Sequence, residues 1–230
     1  MKRFWKEVAL VEQDGGWSIV LDARPLKTPA RATLVVGARG LADAIAEEWH
    51  ACGEEIDPRA MPLTGLANAA VDHVALAPAR FAADLAQYAE GDLLCYRAEH
   101  PPKLVAAQAA AWDPLLDWAR QRFAIEFVVT AGIVHVGQPP ATVARLAAAL
   151  ASASPFALAA LSPIVTIGGS LVTALALFER AIDSDTAWAA ISLDDRWQIE
   201  QWGADNEAVA SLANRRHDFD SAARFLELVS

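Results

Sequence analysis

From Leu146 to Phe178 the chain carries no formally charged residue. Such a stretch has two physical outcomes: it spans a membrane, or it is buried inside a protein core. A spanning helix needs roughly 20 consecutive apolar residues. Here Pro155, Pro163, the Gly168-Gly169 pair and several Ser and Thr residues divide the stretch into shorter pieces. We read it as core helices, with no stable membrane insertion. A chain of 230 residues that is 54% hydrophobic and 21% charged can bury such a core in one large domain or two smaller ones.

The elements around this stretch define a fold class. In the first third, "KEVALVE", the Asp14-Gly15-Gly16 turn signal and "WSIVLD" predict a hairpin, since Asp-Gly accepts the positive φ of a tight connection. "ATLVV" predicts a further strand, and the two prolines of "ARPLKTP" place that segment at an edge or in a loop. From Gly37 the period becomes helical. "RGLADAIAEEWHACG" is expected to end on Gly53 as its C-cap, and "MPLTGLANAAVDHV" and "ARFAADLAQYAEG" read as two more helices. "PKLVAAQAAAWDPLLDWARQRF" is helical, with Asp113-Pro114 marking a new first turn or a kink. "EFVVTAGIVHV" suggests a late pair of strands, and everything after Pro139 reads as helix. The expectation is an α+β fold: a small β-rich N-terminal domain with one helix over residues 1–58, then a larger, mainly α-helical domain over 59–230.

Charge and motifs exclude several functions. A formal charge of -10 opposes binding to a phosphate backbone, so nucleic acid is not an expected partner. There is no P-loop, no G-x-G-x-x-G after a strand, no G-x-S-x-G elbow and no H-E-x-x-H. His50, His73, His100, His135 and His217 stand far from one another and from either cysteine, which leaves no zinc-type spacing and no expected metal or other cofactor. Gly168-Gly169-Ser170 shares only its composition with a phosphate loop and reads as a break between packed helices. Cys52 and Cys95 are too isolated for a disulfide framework, in keeping with a reducing compartment. "MKRFWKEVALVEQDGGW" has no apolar run of signal-peptide length before Lys6 and Glu7, so the chain is expected to be untargeted.

Two segments attract a functional reading. "EGDLLCYRAEHPPKL" gathers Asp92, Cys95, Tyr96, Arg97 and His100. One reading is a hydrolase or transferase site with Cys95 as nucleophile or Arg97 gripping a carboxylate. The favoured reading is a junction between helices, with Asp92 and Arg97 as an ion pair and Cys95 packed as a small hydrophobe. The other segment is "SLDDRWQIEQWGADNEAVASLANRR". Ser192 and Asp195 have the form of a capping box. Carried on as one helix, the segment puts Leu193, Trp197, Ala204 and Ala208 on one side and Ile199, Trp202 and Val209 nearly opposite. Glu200 and Glu207 then stand on the strip between, with Arg196 one turn before Glu200, as an acidic ridge for a protein partner.

Read together, "RFWKEV", "LDARPLKTP", "EEWHACGEEIDPRAMPLTGLANAAVD", "DLLCYRAEHPPKLVAAQAAAWDPLLDW" and "SLDDRWQIEQWGADNEA" resemble, in this order, the assembly chaperones of the F1 head of ATP synthase that handle its α subunit: mitochondrial ATP synthase assembly factor 2 and its bacterial relatives. The resemblance runs from near the first residue to Ala208 and is weakest between Glu126 and Asp185. It implies a non-enzymatic chaperone that binds the free α subunit of F1-ATPase and prevents its aggregation until it joins the α3β3 hexamer. Trp49, Asp92, Arg97 and Trp112 are expected to form a structural motif, and the resemblance implies a partner-binding role for acidic residues after the Trp202-Gly203 pair. These map to Asp205 and Glu207, between which the choice stays open because the position shifts by a residue among members; Glu200 and Trp202 join them from the helix reading. Cys52 stands where members commonly have Gln. The expected compartment is the cytoplasm of a bacterium, the mitochondrial matrix being the eukaryotic equivalent.

Overall fold

Asp14 and Gly15 connect β1 (Val8–Gln13) to β2 (Gly16–Leu21) as a two-residue loop, with Gln13 opposite Gly16 and Val8 opposite Leu21. Gly15 takes φ +86°, the left-handed conformation such loops require. At Gly16 a Cβ would come within 2.3 Å of the Val36 carbonyl oxygen. The structure, a computed structural model, describes residues 2–203 and 205–229. β3 (Arg24–Pro25) and β4 (Val35–Val36) both pair antiparallel with β2. The strand expected over "ATLVV" is thus cut to two residues. The preceding loop closes on itself and is tied elsewhere: Asp72 accepts from the Thr28 hydroxyl at 2.6 Å and from the Ala30 N–H at 2.9 Å.

The buried face of β2, Ser18 to Leu21, is covered by α1 (Arg39–Ala51), whose Leu41, Ile45 and Trp49 recur at one-turn spacing. α1 does not end on Gly53 as expected. Cys52 closes it in an extended conformation, and the Arg3 guanidinium donates to the Cys52 carbonyl at 2.7 Å, so a side chain satisfies the helix end without a left-handed glycine. Trp49 is buried and packs edge-on against Trp5 at 5.0 Å. Glu48, the next residue back, reaches the start of α2 (Pro62–Asp72). Its carboxylate accepts from the N–H groups of Leu63 and Thr64, each at 2.8 Å, and from the Thr64 hydroxyl at 2.7 Å. Because Glu48 and Asp72 bind α2 to the sheet and to α1, the first compact unit runs to Pro78, and it also takes Ser154–Ala160 and the chain from Ser221 onward. The division expected between residues 58 and 59 falls inside this unit.

The second unit, Ala79–Ala153 with Leu161–Asp220, holds most of the helical part of the α+β fold. Along the chain come α3 (Pro78–Ala86), β5 (Tyr96–Arg97), α4 (Pro102–Phe123), β6 (Thr130–Ala131), α5 (Pro140–Ala151), α6 (Pro155–Gly168), α7 (Leu171–Phe178), α8 (Ser184–Ile191), α9 (Leu193–Trp202) and α10 (Asn206–Val229). α4 runs unbroken through Pro114. The pair of strands expected from "EFVVTAGIVHV" does not form. Only β6 is extended, and it runs parallel to β5, because Gly132 turns at φ +86° and gives its N–H to the Arg97 carbonyl at 2.9 Å. The uncharged stretch supplies the end of α5 and all of α6 and α7, and every residue of α7 from Leu171 to Leu177 is buried. Among the described residues no helix is long and apolar enough to cross a membrane. α6 and α7 meet at Gly168-Gly169: Gly169 has φ +63°, a Cβ on Gly168 would lie 3.0 Å from Ile191, and the Ser170 hydroxyl caps α7 by accepting from the Thr173 N–H.

Glu48 and Glu47 give a paired test of this account. Glu48→Ala strands two backbone N–H groups at the start of α2 and should lower unfolding free energy by about 1–3 kcal/mol in urea titrations. Glu47→Ala, which removes only an exposed 3.9 Å contact to Arg224, should change it by less than about 0.5 kcal/mol.

Candidate functional site

Asp92 is fully buried, and its carboxylate is a connector between segments. One oxygen accepts from the Leu94 N–H at 3.1 Å, closing the turn it begins; the other accepts from the Val172 N–H at 2.9 Å, in the first turn of α7. Burial pushes its pKa up to about 6, against the lowering effect of these N–H groups. The expected Asp92–Arg97 ion pair is not formed. Arg97 donates instead to the Asp113 carboxylate at 2.7 Å and to the Leu94 carbonyl at 3.0 Å, and its guanidinium lies over the Trp112 ring at 5.1 Å. The reason is dielectric: Asp92 is already satisfied by backbone donors in a helix N-terminus, while Asp113 is exposed on α4, where an ion pair costs little desolvation. Trp112 is buried and anchors α4 to α8 through its indole N–H, which donates to the Ala190 carbonyl at 2.9 Å.

Cys95 sits behind this network with no solvent exposure. Burial first, and Asp92 second, push its thiol up to about 12. A protonated, enclosed thiol is a poor nucleophile, so the Asp92, Cys95 and Arg97 cluster does not assemble the hydrolase or transferase site considered above. No group of three potential metal ligands occurs among the described residues.

The segment after Ser192 departs from the expected single helix. α9 starts at Leu193 as expected, but Ser192 makes no capping bond: its hydroxyl donates to the Trp188 carbonyl at 2.6 Å and accepts from Arg196 at 3.2 Å. Arg196 also reaches the Ala189 carbonyl at 2.8 Å, so it neutralises the end of α8 and does not face Glu200. α9 then stops at Trp202, because Gly203 adopts φ +88°, and α10 begins at Asn206. Ala204, placed above on one apolar side, lies outside the described residues. Glu200 and Glu207 therefore stand on different helices, and the continuous ridge is replaced by three exposed carboxylates around a helix break: Glu200 on α9, Asp205 just before α10 and Glu207 in its first turn. The Asp205 carboxylate accepts from the Glu207 N–H at 3.3 Å.

No residue of α9 is buried, and its two apolar sides open onto two grooves. Trp197 lines one of about 650 Å³, whose opposite wall is Tyr96 to Pro101 with Gly132 and Ile133. Ile199 lines the other, about 340 Å³, toward Ala208, Ser211 and Leu212 of α10, where Asp195 and Arg215 pair at 2.7 Å. Trp202 belongs to both and is 79% exposed. Sequence reasoning missed Gln108, which is buried in α4 and holds the first groove together: it accepts from the Ala98 N–H and donates to Asp194, both at 2.8 Å. Its signal was a lone amide on an otherwise alanine-rich helical face. Ile133 was also missed, having been read as part of a strand.

The chain matches the family model described as "ATP12 chaperone protein" over residues 2–120. It is similar over its whole length to crystallographic Atp12 from Paracoccus denitrificans, with 44% identity, a TM-score of 0.94, and 98% of that chain covered. A crystallised protein from Agrobacterium tumefaciens is 40% identical with the same TM-score, this chain being covered completely and that one to 86%. Mitochondrial protein atp12 of Schizosaccharomyces pombe is 26% identical over 219 residues, 90% of this chain and 75% of that protein.

Two outcomes follow from the buried cluster. In the folded protein a thiol reagent should label Cys52, which is partly exposed, while Cys95 reacts only at the rate of unfolding; mass spectrometry of the labelled peptides distinguishes them. Asp92 has a folded pKa above its unfolded value of 3.8, so the stability linked to its proton is fully present below that pH and is lost as pH rises through about 6. Denaturant titrations between pH 4 and 7 should show this loss in the wild type and not in Asp92→Asn.

Proposed function

The chain belongs to the ATP12 chaperone family of ATP synthase assembly chaperones, and from this premise we propose that it binds the free α subunit of F1-ATPase and prevents its aggregation before incorporation into the α3β3 hexamer. Family membership carries the reading; the surface around Trp202 gives it a mechanism. Subunits of an obligate oligomer expose large apolar interfaces when unpaired, and a temporary partner can cover them. Trp202 and the grooves on either side of α9 supply the apolar contact. Glu200, Asp205 and Glu207 supply orientation and faster encounter, aided by the net charge of -10. Release follows when the β subunit competes for the covered surface.

The role is non-enzymatic, which the enclosed, protonated Cys95 supports. The proposed place of action is the bacterial cytoplasm, supported by the bacterial origin of the two similar crystal structures.

Light scattering of purified α subunit at a temperature where it aggregates tests the proposal. An equimolar amount of this protein should suppress aggregation of α and not of an unrelated aggregating protein; equal suppression of both, or none, would overturn it. Glu207→Lys and Trp202→Ala should each weaken binding by about tenfold, the equivalent of ~1.4 kcal/mol, with melting temperature unchanged because both side chains are exposed. Unfolding at lower temperature with intact affinity would assign them a structural role.

A further inference from the structure

Val128, Val129, Ile133 and Val134 are exposed large apolar side chains within one short stretch, whereas Phe4, Val11 and Leu76 stand apart along the chain. Ile133 is 99% exposed and Val134 73%. Isolated apolar residues on a surface need no explanation, but a cluster does.

The segment that carries them is firmly held. The Gln138 side chain accepts from the Val128 N–H and donates to the Val128 carbonyl, both at 2.9 Å. The Thr142 hydroxyl donates to the Glu126 carbonyl at 2.6 Å. β6 is laddered to β5, and the Tyr96 hydroxyl bonds His135 Nδ1 at 2.9 Å. The tip therefore projects from a braced base and loses little conformational entropy when it is covered, which favours a role in binding.

Ile133 and Trp202 face the same groove, one from each side. The carboxylates of Glu99 and Asp194 line it as well, with His100, and Arg97, the one Lys or Arg among its described lining residues, is 11% exposed and paired with Asp113. The groove thus joins apolar walls to two carboxylates, Glu99 and Asp194.

We propose that the 126–138 loop and Trp202 form the two walls of one docking groove, which takes an extended segment of the client with apolar side chains and an adjoining Lys or Arg. This rests on the chaperone reading above and assigns that site a second anchor. The client chemistry follows from the lining: apolar side chains cover Ile133 and Trp202, and a cation meets Glu99.

The test uses the double variant Ile133→Asp/Val134→Asp, with Leu76→Asp as a control that places one carboxylate on an exposed leucine of the first unit. Affinity for free α subunit should fall at least tenfold in the double variant and stay within twofold in the control, with both melting temperatures unchanged. A double variant within twofold of wild type overturns the inference. A second arm needs no α subunit: a peptide alternating Val and Lys should quench tryptophan fluorescence in the wild type and not in the double variant, and a Val/Glu peptide should do neither. Equal response to the two peptides, or none to either, counts against the groove; a Val/Lys response together with no binding of α keeps the groove and overturns the choice of client.

Discussion

The second unit depends on one buried carboxylate. Asp92 joins the turn at Leu94 to the first turn of α7, and in doing so sets where the chain emerges as β5. Arg97, freed from Asp92, is then positioned by Leu94, Trp112 and Asp113, and Tyr96 to Pro101 becomes a wall of the groove. An anion in this place raises its own pKa through burial and lowers it through the N–H groups it satisfies. The balance favours retention because removing the carboxylate would leave those donors unpaired inside the protein. The stretch that looks most like an active site is thus structural in its first half and surface-forming in its second.

Where local chemistry decides the outcome, the sequence was readable. Asp14-Gly15 can only turn tightly, the uncharged stretch could only be buried once its prolines and glycines ruled out a span, and the helical periods gave α1, α2 and α4 with nearly the right limits. Partner choice was not readable, because it depends on residues far away in sequence. Asp92 finds Val172, Gln108 finds Asp194, and Ser192 turns back to Trp188 because Arg196 holds it there. Gly203 shows the limit of periodicity: apolar spacing continues across it, so the pattern suggests one helix, but its backbone takes φ +88° and the acidic residues are divided between two. The exposure of Glu200, Asp205 and Glu207 was readable, and their division between two helices was not.

The break at Gly203 also bears on the proposed role of this surface. A long helix with a buried face would need its apolar side chains for its own stability. α9 buries none of its residues, so Trp197, Ile199 and Trp202 remain at the surface, near carboxylates that keep the face soluble. Used as an interface, as proposed, such a face would take speed and orientation from charge and affinity from a few anchors. On the proposed function it would hold a client firmly enough to shield it and still yield to a partner with a larger interface.

The most direct test of the central claim is sedimentation velocity of this protein with free α subunit and, separately, with assembled α3β3. The account predicts a complex with free α, dispersed when β is added, and no complex with α3β3. Equal binding to free and assembled α would contradict it, since a chaperone that covers the assembly interface cannot bind where that interface is already filled.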